Sequence, residues 1–216
     1  MKKVISYSLW GDEPKYTIGA TKNAEIAPFI YAGWDVWFYV AESVPTGIVS
    51  ELEKTSKIIH RQHGNWDSML WRFEPISDAS VDIFISRDTD SRLNYRERRA
   101  VDEWLESDKS LHIMRDHAYH GTQILGGMWG FRGTINNNVS ELVSTFLLNR
   151  GKSNHYDIDQ RFLREVLVPK FAQDVLVHDE MFKGQNYPTT RINNEYVGAP
   201  YNEHNDLEIE FRGTQA

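Results

Sequence analysis

The 216-residue chain contains no cysteine. That excludes a disulfide scaffold, a zinc ribbon, an iron–sulfur site and a thiol nucleophile, and it suits folding in a reducing compartment. Long apolar runs are missing too. Nothing approaches the roughly 18 residues that a transmembrane helix needs. The start, MKKVIS, lacks the apolar stretch of a signal peptide. A soluble, cytoplasmic protein is expected. Three motifs are absent. Without GxGxxG or GxxxxGK(S/T) there is no sign of a dinucleotide fold or a P-loop, and without GxSxG a serine hydrolase is disfavoured. Basic residues are in deficit, 24 Lys and Arg against 31 Asp and Glu, for a net charge of −7. This argues against broad binding to nucleic acid or anionic membrane. Four acids and no Lys or Arg lie between Tyr201 and Glu210. They are expected on the outside, far from any anion site.

What is present reads as one domain over 1–216. Hydrophobic residues make up 40% of the chain, and 14 glycines bring it close to the usual globular composition. Strands are expected at Val4–Leu9, Trp34–Ala41, Lys57–His60, Val81–Ser86, Leu111–Met114 and Val175–Val177. Helices are expected at Tyr16–Ala32, Pro45–Thr55, Trp66–Pro75, Ser140–Leu148 and Asp157–Phe171, and one after Asn94. There Asn94 would be the cap and Glu97 its capping-box partner. Ile124–Phe131 is broken by glycine, and the chain from Phe182 is polar. Strands alternate with helices through the first half, the pattern of an α/β fold with a mainly parallel central sheet flanked by helices. Ligands in such sheets sit beyond the carboxyl ends of the strands.

The strongest candidate follows directly on the strand VDIFIS: RDTDSR, residues 87–92. Asp88 and Asp90 stand two residues apart on extended or turning chain, so both can face one hard cation, Mn²⁺ or Mg²⁺, which in turn binds a diphosphate. The plain alternative is an acidic turn that caps the next helix. Five arginines and three acids between Ser86 and Arg99 make the surroundings locally basic, although Arg96, Arg98 and Arg99 read better as a solvated helix face. His178, ending the strand VLVH, is either a satisfied structural residue or a third ligand. Asp116, in MRDHAYH, can bond a sugar or other hydroxyl. His117 and His120 could join it at zinc, but no HExxH context supports that. Gly126 and Gly127 let backbone approach a ligand, or form a bulge. Asp157 suits a helix cap, while Asp159-Gln160 suits sugar hydroxyls. Among seven tryptophans, Trp34, Trp37 and Trp104 fall on core-like faces. Trp10, just past the first strand, suits stacking on a base or sugar. Arg72, in a mostly apolar segment, needs an anionic partner.

Together these phrases resemble a nucleotide-sugar glycosyltransferase of the GT-A type. The chain is similar in particular to the small glycosyltransferase-like domains of large DNA viruses, algal viruses among them, and of bacterial polysaccharide loci. The phrases are YSLWGDEPKYTIGATKNAE, WDSMLWRFEPISD, VDIFISRDTDSRL, HIMRDHAYHGTQILGGMWG, DIDQRFLRE and VHDE, which run from residue 7 to residue 180. The resemblance implies a Mn²⁺- or Mg²⁺-dependent transferase with a nucleoside diphosphate sugar donor and a glycan or glycoconjugate acceptor. It implies a nucleotide-binding half at 1–93, a donor-sugar and acceptor half at 94–181 and a polar tail at 182–216. Asp88 and Asp90 match the DxD motif and His178 a further ligand. Ser8, Leu9 and Trp10 fall where the nucleoside is held, Arg72 and Arg87 near phosphate or donor, and Gly126, Gly127 and Gln160 along the donor sugar. Asp116 and Asp159 are the candidate catalytic carboxylates. Two other classes compete. A metal-dependent phosphohydrolase would use the same acids with water as nucleophile. A non-catalytic carbohydrate-binding module would account for the aromatics and the Asn-rich tail.

Overall fold

A computed structural model describes residues 1–133, 139–150, 155–193 and 195–208. Runs of β-branched and aromatic residues form the strands. They are β1 (Lys3–Leu9), β2 (Asp35–Ala41), β3 (Lys57–Arg61), β4 (Ile83–Ser86), β5 (Leu111–Arg115), β6 (Trp129–Arg132) and β7 (Val175–Asp179). They make one sheet in the order β3-β2-β1-β4-β6-β5-β7. β6 runs antiparallel to β4 and β5, and all other pairs are parallel. The helices are α1 (Pro14–Ile30), α2 (Thr46–Leu52), α3 (Tyr95–Glu106), α4 (Val139–Arg150), α5 (Ile158–Phe162) and α6 (Val168–Phe171). A 3-10 helix spans Trp66–Ser77. This is the expected α/β architecture. None of the helices among the described residues is long and apolar enough to cross a membrane.

Alternation along the strands divides the core into two layers. Ile5, Tyr7, Leu9, Ile83 and Ile85 pack with Ala20, Ala24 and Ala27 of α1 and with Trp104 of α3. Val4, Phe84, Trp129 and Phe131 pack on the other side with Phe73 of the 3-10 helix, Phe146 of α4 and Phe162 of α5. Each fully buried side chain of phenylalanine size contributes about 1.5–3 kcal/mol. The same parity continues past β4 and sets the site. Residues 83, 85 and 87 face α1 and α3, whereas 84, 86 and 88 face the 3-10 helix.

Several local expectations are corrected. The glycine-broken stretch ends in a true strand, β6, because Gly130 has no side chain to meet Ile85, the Phe84 carbonyl and Trp104 across the sheet. The long helix expected over 157–171 is α5, a π turn (Leu163–Leu167) and α6, with Pro169 at the start of α6. Asn94 caps α3 by accepting from the Glu97 amide at 2.9 Å, but the Glu97 carboxylate binds Tyr31 and Arg87 instead of returning to the cap. Asp157 makes no side-chain cap bond. The polar tail is folded back. Tyr187, Val197 and Ala199 are buried, and Pro200 bridges to Ser91. Glu210 lies outside the described residues.

Candidate active site

Four segments converge at the carboxyl end of β4. Asp88 has the parity that points it at the 3-10 helix, where Arg72 waits. The Arg72 guanidinium donates to Asp88, to the Arg87 carbonyl at 3.1 Å and to Asp159 Oδ2 at 2.6 Å. The Arg72 amide donates to Ser8 Oγ at 3.1 Å. Arg72 is only 4% exposed. Burial works against its charge, but Asp88 and Asp159 outweigh that and hold it above its ordinary range. The anionic partner demanded by a buried arginine is thus two aspartates. Gly126 and Gly127 complete the arrangement. A Cβ on Gly126 would fall on Asp159 and Arg72, and one on Gly127 would fall on Asp88. Ser86 Oγ fixes this glycine pair by donating to the Gly126 carbonyl at 2.6 Å. Asp159 accepts from the Gln160 amide at 2.7 Å. Burial raises the Asp159 pKa and the charge of Asp88 adds to that, against Arg72.

Asp90 lies on the α1 side of the loop. Lys15 Nζ stands 3.4 Å from it and 2.9 Å from Glu208, and the Tyr201 amide donates to the Asp90 carbonyl at 2.8 Å. Burial and the neighbouring Asp88 charge raise the Asp90 pKa. Among the described residues the acids Asp88, Asp90, Asp159 and Glu208 are ion-paired with Arg72 and Lys15, and the charge of the neighbouring Arg92 also acts on Asp90, which leaves a surplus of one negative charge. The Asp88 side chain is 44% exposed. A partly open pair of carboxylates with that surplus fits a hard divalent cation. No group of three His, Asp or Glu side chains forms a ready-made metal cage among the described residues. A cation held by one or two carboxylates takes its other oxygens from water and phosphate.

Other candidates go elsewhere. His178 shares its parity with Leu176 and faces α3, on the opposite side of the sheet from Asp88. Its Nδ1 lies 2.8 Å from His112 Nε2 and its Nε2 3.2 Å from Glu103. Three strand spacings, roughly 14 Å, separate β7 from β4. His178 is a satisfied structural residue, not a ligand with Asp88. Arg87 also points away. It is buried against Glu97 (Nε–Oε1 3.1 Å) and the Ser86 and Trp129 carbonyls, so it cannot reach a phosphate beside Asp88. Asp116 is fully buried. It accepts from Arg96 at 2.7 and 2.8 Å, from Arg191 at 3.1 and 3.2 Å, and from the Val197 amide at 2.9 Å. Every lone pair is used, so it is not a free base. Arg96 is therefore not a solvated residue. Trp34, Trp37 and Trp104 are core, as expected, and Trp129 joins them. Leu9 is buried. Trp10 lies edge-on to the exposed Trp66 at 6.2 Å, with Gly64 leaving room for its ring.

Three residues of the site were given no role there by the sequence. Asn23 of α1 donates to the Thr89 and Ser91 carbonyls at 3.2 and 2.8 Å and accepts from the Leu93 amide. Its signal was a polar residue set among Ala20, Ala24 and Ala27. Glu208 belongs to the acid run expected far from the site. Lys15 carried no signal.

No protein-family model matches the chain, and no curated protein matches it in sequence. Solved structures do match it. A glycosyltransferase involved in the glycosylation of the major capsid of PBCV-1 aligns over 83% of this chain and 82% of its own, at 13% identity and a TM-score of 0.53. Glucosyl-3-phosphoglycerate synthase from Mycobacterium tuberculosis, solved with Mn²⁺, UDP-glucose and phosphoglyceric acid, aligns over 84% and 72%, at 12% identity and a TM-score of 0.51. A mannosyltransferase from Pyrobaculum calidifontis, solved with GDP-mannose and Mn²⁺, aligns over 83% and 55%, at 11% identity and a TM-score of 0.51. At such identities the likeness is one of fold. The fold is the GT-A type that the sequence phrases resemble.

Proposed function

We propose that the chain is a Mn²⁺- or Mg²⁺-dependent glycosyltransferase. It moves a sugar from a nucleoside diphosphate sugar, with UDP favoured, to a hydroxyl of a glycan or glycoconjugate. The observation that carries this reading is the acid surplus around Asp88 and Asp90 at the carboxyl end of β4, beside a glycine pair whose bare backbone lets Asp88, Asp159 and Arg72 pack closely. Support comes from a fold shared with glycosyltransferases solved with Mn²⁺ and a nucleotide sugar.

Asp88 and Asp90 would hold the cation, which supplies Lewis-acid neutralisation of the leaving diphosphate. Residues 1–93 take the nucleotide, with Trp10 at the nucleoside and the buried Ser8 and Leu9 behind it, and 94–181 the sugar and acceptor. The Arg72 guanidinium sets Asp88 against Asp159 and adds positive charge where the diphosphate departs. Gly126 and Gly127 leave room for the Asp88, Asp159 and Arg72 side chains, and Gln160 would meet the sugar's hydroxyls. Asp159 is the remaining candidate for the carboxylate that faces the sugar. Its burial and its bond to Arg72 suit orientation better than rapid proton uptake.

A thermal-shift screen of nucleotide sugars with and without Mn²⁺ tests the proposal, because a ligand that binds only the folded state raises its melting point. Stabilisation should need metal and one diphosphate donor together. Asp88→Ala and Asp90→Ala should abolish it while circular dichroism stays unchanged. Unaltered UDP binding in both variants would sink the metal assignment. Sugar release that no acceptor diverts would favour the phosphohydrolase, and glycan binding indifferent to EDTA the binding module.

A further inference from the structure

We propose that His120, on the loop that follows β5, donates its Nε2–H to the diphosphate held at Asp88 and Asp90. The inference rests on reading that acid pair as a diphosphate site.

The loop stands beside the acid pair. β6 runs antiparallel to both β4 and β5, so β4 and β5 release their loops at the same edge of the sheet. The returning chain spans the two loops. The Val197 amide donates to Asp116 Oδ2 at 2.9 Å, and four residues later the Tyr201 amide donates to the Asp90 carbonyl at 2.8 Å. Four residues reach about 14 Å at most, which bounds the gap. A second tie is shorter. Gly127 lies against Asp88, and the next residue, Met128, accepts from the Met114 amide at 2.9 Å, two positions before Asp116. The Asp88 charge accordingly acts on His120, whereas His117 feels Arg191 and Asp116.

What His120 offers there is decided by its other nitrogen. Nδ1 accepts the Asp116 amide at 3.0 Å, so the proton of the neutral ring sits on Nε2. Such a ring has no lone pair to give a cation. It can only donate. The side chain is 8% exposed, and its ring stands edge-on to Tyr196 at 5.6 Å and to His117 at 5.9 Å, which hold its direction. Nε2 is not sealed in, and it has no partner among the described residues. Asp88 is already bonded to Arg72. The diphosphate is the acceptor that suits this N–H, because a cation on Asp88 and Asp90 brings its charged oxygens to the same edge. A fixed donor there meets the charge that grows on the leaving phosphate.

UDP and GDP, each with Mg²⁺, are the probes, read by calorimetry and by proton NMR of the imidazoles. In the parent the His120 Nε2–H signal should move downfield with the diphosphate that binds and stay in place with the matching nucleoside. His120→Asn keeps an oxygen near the position of Nδ1, so the Asp116 amide stays satisfied, and it removes the Nε2 donor. It should weaken diphosphate binding about tenfold or more, the size of a lost hydrogen bond to a charged group, with circular dichroism unchanged. His117→Asn, three positions earlier on the same loop, should bind like the parent. An unmoved Nε2–H, unchanged affinity in His120→Asn, or an equal loss in His117→Asn overturns the proposal and leaves the transferase reading standing. A parent that binds neither diphosphate with metal overturns both. The NMR signal of the parent decides the matter should His120→Asn fail to fold.

Discussion

Two arginine–aspartate clusters flank the carboxyl edge of the sheet, and they are built to opposite ends. Around Asp116, Arg96 and Arg191 meet Asp116 and Glu180, so charges cancel and every oxygen of the buried aspartate has a donor. Around Arg72, one guanidinium serves both Asp88 and Asp159, and Asp88 stays partly open. The first cluster rivets the returning chain to β5. The second is short of cations. The difference shows why burial and pairing alone do not identify a reacting carboxylate. A fully satisfied ion pair is a fastening, whereas an acid surplus that the fold tolerates on a partly exposed carboxylate marks a place for a ligand.

The comparison can be broken first at its rivet. Asp116→Ala leaves Arg96 and Arg191 without their buried anion, a loss of about 3–5 kcal/mol. For a chain of this size that lowers Tm by about 6–20 °C. Asp159→Asn should cost far less, because Arg72 keeps Asp88 and a neutral side chain escapes the burial that already raises the Asp159 pKa. Calorimetry of both variants checks the ordering, and equal losses would erase the distinction between the clusters. A smaller effect is expected at the glycines. Gly126→Ala puts a methyl group on Asp159 and Arg72, an overpacking cost of about 1–3 kcal/mol. Gly121→Ala, where the nearest atoms are in ordinary contact, should melt within about a degree of the parent. If Gly126→Ala is equally silent in melting and in donor binding, the glycine pair is not shaping the site.

The sheet and its acid pair were legible because their signals are local. VDIFIS has strand composition, and RDTDSR follows it without a gap. Arg72 was legible for a related reason, since a charge inside an apolar segment has to be answered. What escaped the sequence was parity and distance. His178 ends a strand as Asp88 follows one, but strand order and side-chain alternation put them on opposite faces of the sheet. Arg87 and Asp88 are neighbours in sequence and diverge for the same reason. Glu208 reaches Lys15 from 193 positions away, a pairing that no spacing rule contains. The acid run at 201–210 is therefore not wholly outside, as net charge alone suggests.

The effect that is silent at neutral pH sits between the two clusters. His120 Nδ1 accepts the Asp116 amide at 3.0 Å, which leaves the proton of the neutral ring on Nε2. Burial pushes its pKa down to about 4, and the charges of His117 and Arg191 add to that, against Asp116 and Asp88. The folded state therefore resists protonation that the unfolded chain accepts near 6.5. The stability linked to this ring is complete above pH 6.5. It is lost progressively as pH falls from 6.5 toward 4, because there the unfolded chain binds the proton and the folded one does not. Urea midpoints of the parent should decline over that window, with His112 and His178, also lowered by burial, contributing their own share. His120→Gln should leave the midpoint near pH 7 little changed and make the acid decline shallower. An identical decline in parent and variant would show that the loop joining the two clusters does not carry the pH dependence.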